Sequence, residues 1–165
     1  MPILFRIFAL VLAVIVVQFS AVQPGIAEGI FYQLKNIASG GCLYFKDIGN
    51  TKDFFLGIPC LNDTKWRIRM DGSPSPMVVE ASPQKWFCLT VREPIVGLRK
   101  RVEPTECVNP STWFRKVQDD GNVRFILFRD VPEVAFCLTG GAANGQVYIE
   151  HCGNEDTSWN MIRLP

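Results

Sequence analysis

The sequence has one histidine, no Cys-x-x-Cys pair and almost no charge imbalance, with 17 basic against 16 acidic residues and a formal net charge of +1. A single histidine excludes a multi-histidine metal centre and any mechanism that needs two imidazoles. Without a closely spaced cysteine pair, the six cysteines do not read as zinc ligands. Balanced charge argues against strong non-specific attraction to nucleic acid or to an anionic membrane. After residue 28 no run of ten or more residues carries helical periodicity, and prolines scattered through the later chain disfavour long helices. Ser-His-Asp chemistry would have to use His151, which stands beside Cys152; a partly exposed strand residue is the simpler reading. Glu150, Glu155 and Asp156 are acidic but nothing in the pattern orients them as an acid/base pair. The expectation is a protein without catalytic residues, metal or cofactor.

The one long apolar run stands at the start. Arg6 is the only charge in residues 1–27, Ile7 to Val17 is uninterrupted, and Pro24 and Gly25 break the segment. Gly25 and Ala27 are small residues at the −3 and −1 positions of a cleavage after Ala27. A spanning helix needs about 20 apolar residues, so a signal peptide over 1–27 is favoured over a membrane anchor. The expected localisation is secreted or periplasmic. Six cysteines, all beyond the cleavage point, then argue for disulfides in an oxidising compartment.

Beyond that segment the chain is repetitive. Cys42-Leu43, Cys60 and Trp66 are echoed by Cys88-Leu89, Cys107 and Trp113, and again by Cys137-Leu138, Cys152 and Trp159. The tryptophans are 47 and 46 residues apart, and within each unit the cysteines are separated by 18, 19 and 15. Short runs rich in Val, Ile, Phe and Tyr alternate with turn residues, as in Asp120-Gly121-Asn122 ahead of Val123 to Phe128. Units this small cannot bury an apolar face alone, so three of them (about 30–72, 76–119 and 123–165) must pack into one domain over 28–165. Trp66, Trp113 and Trp159 are read as shared core. Six cysteines allow fifteen pairings. The simplest that respects the repeat joins Cys42 to Cys60, Cys88 to Cys107 and Cys137 to Cys152, each loop worth roughly 3 kcal/mol in the loop-entropy model.

Three repeats with Cys-Leu, a second Cys and a closing Trp resemble the ricin B-type β-trefoil lectins, over residues 30–165. The resemblance implies an all-β, disulfide-stapled β-trefoil of pseudo-threefold symmetry, with up to one shallow sugar pocket per repeat. The family's galactose-binding repeats carry Asp two residues after the first Cys, Gln two before the Trp and an aromatic two before the second Cys. Here those places hold Tyr44, Thr90 and Thr139; Thr64, Ser111 and Thr157; and Ile58, Thr105 and Glu150. All nine depart from the pattern, so weak or no binding of simple galactosides is expected. The segment Phe31 to Gly40 resembles the start of the ricin-like, non-catalytic subunits of cytolethal distending toxins, which deliver a nuclease subunit to target cells. β-Trefoil protease inhibitors lack the Cys-Leu…Cys…Trp repeat.

The implied function is a secreted, non-catalytic lectin-like module that recognises a glycan or glycosylated cell-surface receptor, including as the delivery subunit of a multi-subunit toxin. The competing reading is a protein-interaction subunit that docks a catalytic partner without binding sugar. Candidate ligand contacts are Trp86 and Phe87, because Trp86 stands where the other repeats have Gly40 and Ala135 and aromatic residues dominate binding hot spots. Asn144, Tyr148, Asn154 and Asp156 give the third repeat its polar equipment. Arg99-Lys100-Arg101, the only compact basic run, is expected to tip a solvated loop or to meet an acidic glycan or partner.

Overall fold

The computed structural model describes residues 30–49, 51–61, 64–82, 85–92, 95, 99–129, 134–141, 145–153 and 155–165; the expected signal peptide lies outside them. The described chain is all-β. The first segment forms β1 (Phe31–Asn36), β2 (Cys42–Ile48), β3 (Thr51–Gly57) and β4 (Lys65–Arg67). The second forms β5 (Val78–Ser82), β6 (Lys85–Val91), β7 (Arg99–Thr105) and β8 (Trp113–Val117). The third forms β9 (Val123–Leu127), β10 (Phe136–Gly140), β11 (Val147–His151) and β12 (Trp159–Arg163), with a 3-10 turn, Glu155–Thr157, before β12.

Pairing repeats as the sequence does. In each segment the first strand pairs with the second and the second with the third, all antiparallel. The fourth strand turns to the next segment: β4 pairs with β5, β8 with β9, and β12 with β1. The fourth strand also pairs with its own first strand in β1–β4 and β9–β12. In the second segment Ser75, just ahead of β5, makes that link through two backbone hydrogen bonds with Trp113, of 3.2 and 2.9 Å. A path of pairings from β12 through β9, β10, β11, β7, β6, β5, β4 and β1 returns to β12.

Alternation explains which side chains go inside. In β9 Val123, Phe125 and Leu127 point to the core while Arg124 and Ile126 are half-exposed, the period-2 pattern of a one-sided strand. The core collects Leu43, Leu89 and Leu138 with Trp66, Trp113 and Trp159, none more than 2% exposed. Each indole Nε1 donates to the backbone oxygen of the leucine in its own repeat: Trp66 to Leu43, Trp113 to Leu89 and Trp159 to Leu138, each at 3.0 Å. That bond gives the Cys-Leu…Trp spacing a physical meaning, because a buried indole N–H must find an acceptor. Disulfides join Cys42 to Cys60, Cys88 to Cys107 and Cys137 to Cys152, one within each repeat. The basic run is a correction: Arg99-Lys100-Arg101 opens β7 and pairs with Glu150, Ile149 and Tyr148 of β11 instead of tipping a loop.

Candidate functional site

Two solvent-facing groups of side chains stand apart from this repeated core. The first forms where β1, β4, β5 and β6 lie side by side. Tyr32, Trp66, Val79 and Phe87 stand in register across these strands, and all four are buried. Parity sends their neighbours to the opposite face. There Phe31, Arg67 and Trp86 are half-buried and Lys65 is exposed. The rings of Phe31 and Trp86 are parallel within 2°, their centroids 6.4 Å apart. The Arg67 guanidinium carbon lies 4.6 Å from the Trp86 centroid and 5.2 Å from that of Phe31, and the Lys65 ammonium 5.9 Å from Phe31. Cation–π attraction holds such a group together. Arg67 Nε and Nη1 are shielded from solvent and have no hydrogen-bond partner among the described residues.

The second group lies where β3 and β11 approach the start of β7. A cleft of about 360 Å³ is lined by Lys46, Asp53, Phe55, Gly145 and Gln146. Asp53 is directly opposite Lys46 across the β2–β3 ladder, yet its carboxylate is bonded to Arg101 of β7. With its amide oriented to satisfy both neighbours, Gln146 accepts from Arg101 at 3.2 Å and donates to the Tyr148 hydroxyl at 2.9 Å. The Arg99 guanidinium covers the Tyr148 ring at 4.1 Å, and its Nε is 3.8 Å from the Glu150 carboxylate.

The candidate residues read from the sequence do not converge. Trp86 belongs to the first group and Tyr148 borders the second. Trp86 is the most accessible of the four tryptophans, since the other three are buried. Phe87 is a correction as a ligand contact. It is 2% exposed, stacks on Phe45 at 4.9 Å, and is capped by the ammonium groups of Lys52 and Lys85 at 4.6 and 5.5 Å. Asp156 is half-buried in the 3-10 turn, where its backbone oxygen accepts from Asn36 Nδ2 at 2.7 Å, away from the Tyr148 cluster in its bonding. Asn144 and Asn154 lie outside the described residues. His151 is exposed on β11, its ring 5.2 Å from that of Phe136.

Several of the positions compared above with the sugar contacts of ricin-type repeats are engaged in internal contacts. Tyr44 is 6% exposed, and its hydroxyl donates to Pro59 O at 2.8 Å and accepts from Leu61 N. Thr90 and Thr105, from two of those positions in one repeat, share a hydrogen bond of 2.7 Å. Ser111 accepts from Val91 N at 2.9 Å, and Thr64 and Thr157 are buried. Among the described residues no three His, Cys, Asp or Glu side chains cluster as a metal site. The carboxyls of Asp71 and Asp120 are held below the usual range by hydrogen bonds from Ser73 and Asn122 in exposed turns, outside both groups. Sequence reasoning missed Phe31, Lys65, Arg67, Lys46, Asp53, Phe55 and Gln146; only the strand pairing brings them together. Comparison with protein-family models and with curated proteins returns no match.

Proposed function

We propose that this chain is a β-trefoil of the ricin B type that works as a secreted, non-catalytic binding module for a glycan or glycosylated cell-surface receptor. Three features support the trefoil. Four strands recur three times, their pairings run in a closed circuit, and one Leu–Trp bond is made in each repeat. Three disulfides support an extracellular or periplasmic location.

The observation that carries the binding reading is the Phe31–Arg67–Trp86 group. The repeat does not require an aromatic at Trp86, whose counterparts are Gly40 and Ala135. Yet Trp86 is held parallel to Phe31, with a cation over both rings whose Nε and Nη1 have no partner among the described residues. Aromatic faces stack on sugar rings, and tryptophan and arginine are the residue types most enriched in binding hot spots. Recognition then runs through this face and not through the family's galactose positions.

The replacement of all nine of those positions also favours a second reading, in which the module docks the catalytic subunit of a toxin and binds no sugar. A glycan array run with wild type, Trp86→Ala and Phe31→Ala separates the two. Glycan binding lost in both variants, with simple galactosides weak throughout, is the expected result. Tight galactoside binding that ignores Trp86 overturns the proposal. No glycan binding, with capture of a co-encoded nuclease subunit that depends on Trp86, moves the function to the docking reading.

A further inference from the structure

The cleft beside β7 has chemistry that the Phe31–Trp86 face lacks. Its cations are not all neutralised. Asp53 Oδ2 is committed to Arg101, and Asp53 Oδ1 accepts from Phe54 N at 2.8 Å, so neither oxygen compensates Lys46. Lys46 is exposed, lies 5.9 Å from the Phe55 ring, and makes no ion pair among the described residues. Arg99 has a side chain 49% exposed, and its separation from Glu150 is beyond hydrogen-bond reach. Arg101, by contrast, is tied to Asp53 and Gln146, which fixes the Gln146 amide and through it the Tyr148 hydroxyl. The cleft therefore has a polar floor, one apolar wall at Phe55 and one uncompensated cation, Lys46, in its lining; beside it, beyond Gln146, Arg99 covers the Tyr148 ring and is paired only loosely to Glu150. Its volume is within the range of small-molecule sites.

We infer that this cleft binds an acidic saccharide: a sugar ring against Phe55, its hydroxyls on Gln146 and Tyr148, and its carboxylate or sulfate on Lys46 and Arg99. A neutral sugar would leave Lys46 unanswered, and a bare inorganic anion would leave Phe55 unused. The inference adds a second site to the glycan-binding reading above but uses none of its residues, so each can fail without the other.

Nuclear magnetic resonance titration of the disulfide-intact protein with 3′-sialyllactose, lactose 3′-sulfate, lactose and inorganic sulfate tests it. Either acidic probe is expected to bind at least about tenfold tighter than lactose, the least that one added charge-assisted hydrogen bond confers. Amide signals of Phe55, Gln146 and Tyr148 should move. Lys46→Ala and Arg99→Gln, both at exposed side chains, should each remove about a factor of ten, and added salt should weaken what remains. Trp86→Ala should leave this site unchanged. The inference is overturned if lactose binds as well as the acidic probes, if the acidic preference survives both cleft variants, or if sulfate alone binds as tightly as sulfated lactose. The wild-type signal shifts decide between these outcomes even if a variant does not fold.

Discussion

Two ends of the same short motif behave differently. At one end Trp66, Trp113 and Trp159 do one thing three times: each is buried and donates its indole N–H to the leucine oxygen of its own repeat at 3.0 Å. One residue beyond those leucines, Tyr44, Thr90 and Thr139 do three different things. Tyr44 ties the chain at Pro59 and Leu61, Thr90 bonds Thr105, and Thr139 Oγ1 is buried with no partner among the described residues. The inner end must satisfy the other two repeats at once, so any change there has to be matched around the core. The hairpin end meets a different neighbour in each repeat and has diverged. The proposed binding face also draws on divergence, since Trp86 stands where the other repeats have Gly40 and Ala135, and each prediction tests that division.

The largest effect is expected at the tryptophans. Replacing Trp66, Trp113 or Trp159 by Ala removes a core ring and orphans a leucine oxygen, and should cost about 3–5 kcal/mol at each site. Unfolding free energies of the three variants from urea denaturation should agree within about 1 kcal/mol, a narrower range than the roughly 2 kcal/mol spread among unlike core sites. A Trp113→Ala protein much less affected than the others would break the symmetric half of the comparison. That position is the one to watch, because Ser75 replaces a strand ladder beside it.

Disulfides come next. Each bridge joins a fully buried first cysteine to a more accessible second one, and Cys107 is the most open, next to Val108 at 74% exposure. The closed loops span 18, 19 and 15 residues. Loops of that size constrain the unfolded chain by about 3 kcal/mol each. Cys-to-Ser double replacement, one bridge at a time, should lower stability by similar amounts even though the loops differ in surface. A bridge whose removal costs nothing would assign its hairpin to the independent half of the molecule.

How much of the molecule was legible in the sequence obeys the same division. The repeat register carried the cysteine pairing and the buried tryptophans, because both depend on spacing inside one unit. The all-β character came from short β-branched runs between turn residues, such as that at Gly121, whose φ is +81°. The sites were not legible. Phe31 meets Trp86 and Asp53 meets Arg101 only because strands from different segments lie side by side. Arg99-Lys100-Arg101 reads as a loop because it follows Gly97 and precedes Glu103-Pro104, yet it opens β7, where Arg101 is answered by Asp53 and Gln146. Phe87 reads as a partner of Trp86 because it is the next residue, whereas strand parity sends adjacent side chains to opposite faces.

The smallest effect sharpens the comparison most, because it asks why the hairpins diverged. Gly140 is three residues after Cys137, where the other repeats carry Phe45 and Val91. A Cβ added there would come within 2.6 Å of Leu56 Cδ1 and 2.7 Å of Asn36 Cγ. Neither neighbour can retreat easily. Leu56 is fully buried, and so is Asn36, which is held from two sides. Asn36 Nδ2 donates to Asp156 O at 2.7 Å, and its Oδ1 accepts from Ser39 N and Ser39 Oγ at 3.0 and 2.9 Å. The missing side chain in the third repeat is thus the space that lets the first repeat lock to the turn before β12. Gly140→Ala should cost about 1–3 kcal/mol by overpacking. Gly153→Ala, where an added Cβ meets nothing within 4 Å, should stay within about 0.5 kcal/mol of wild type. If the clash with Asn36 is the cause, Asn36→Ala combined with Gly140→Ala should cost less than the two separate losses added together. Strict additivity in urea denaturation would separate the two residues and leave the glycine without this packing role.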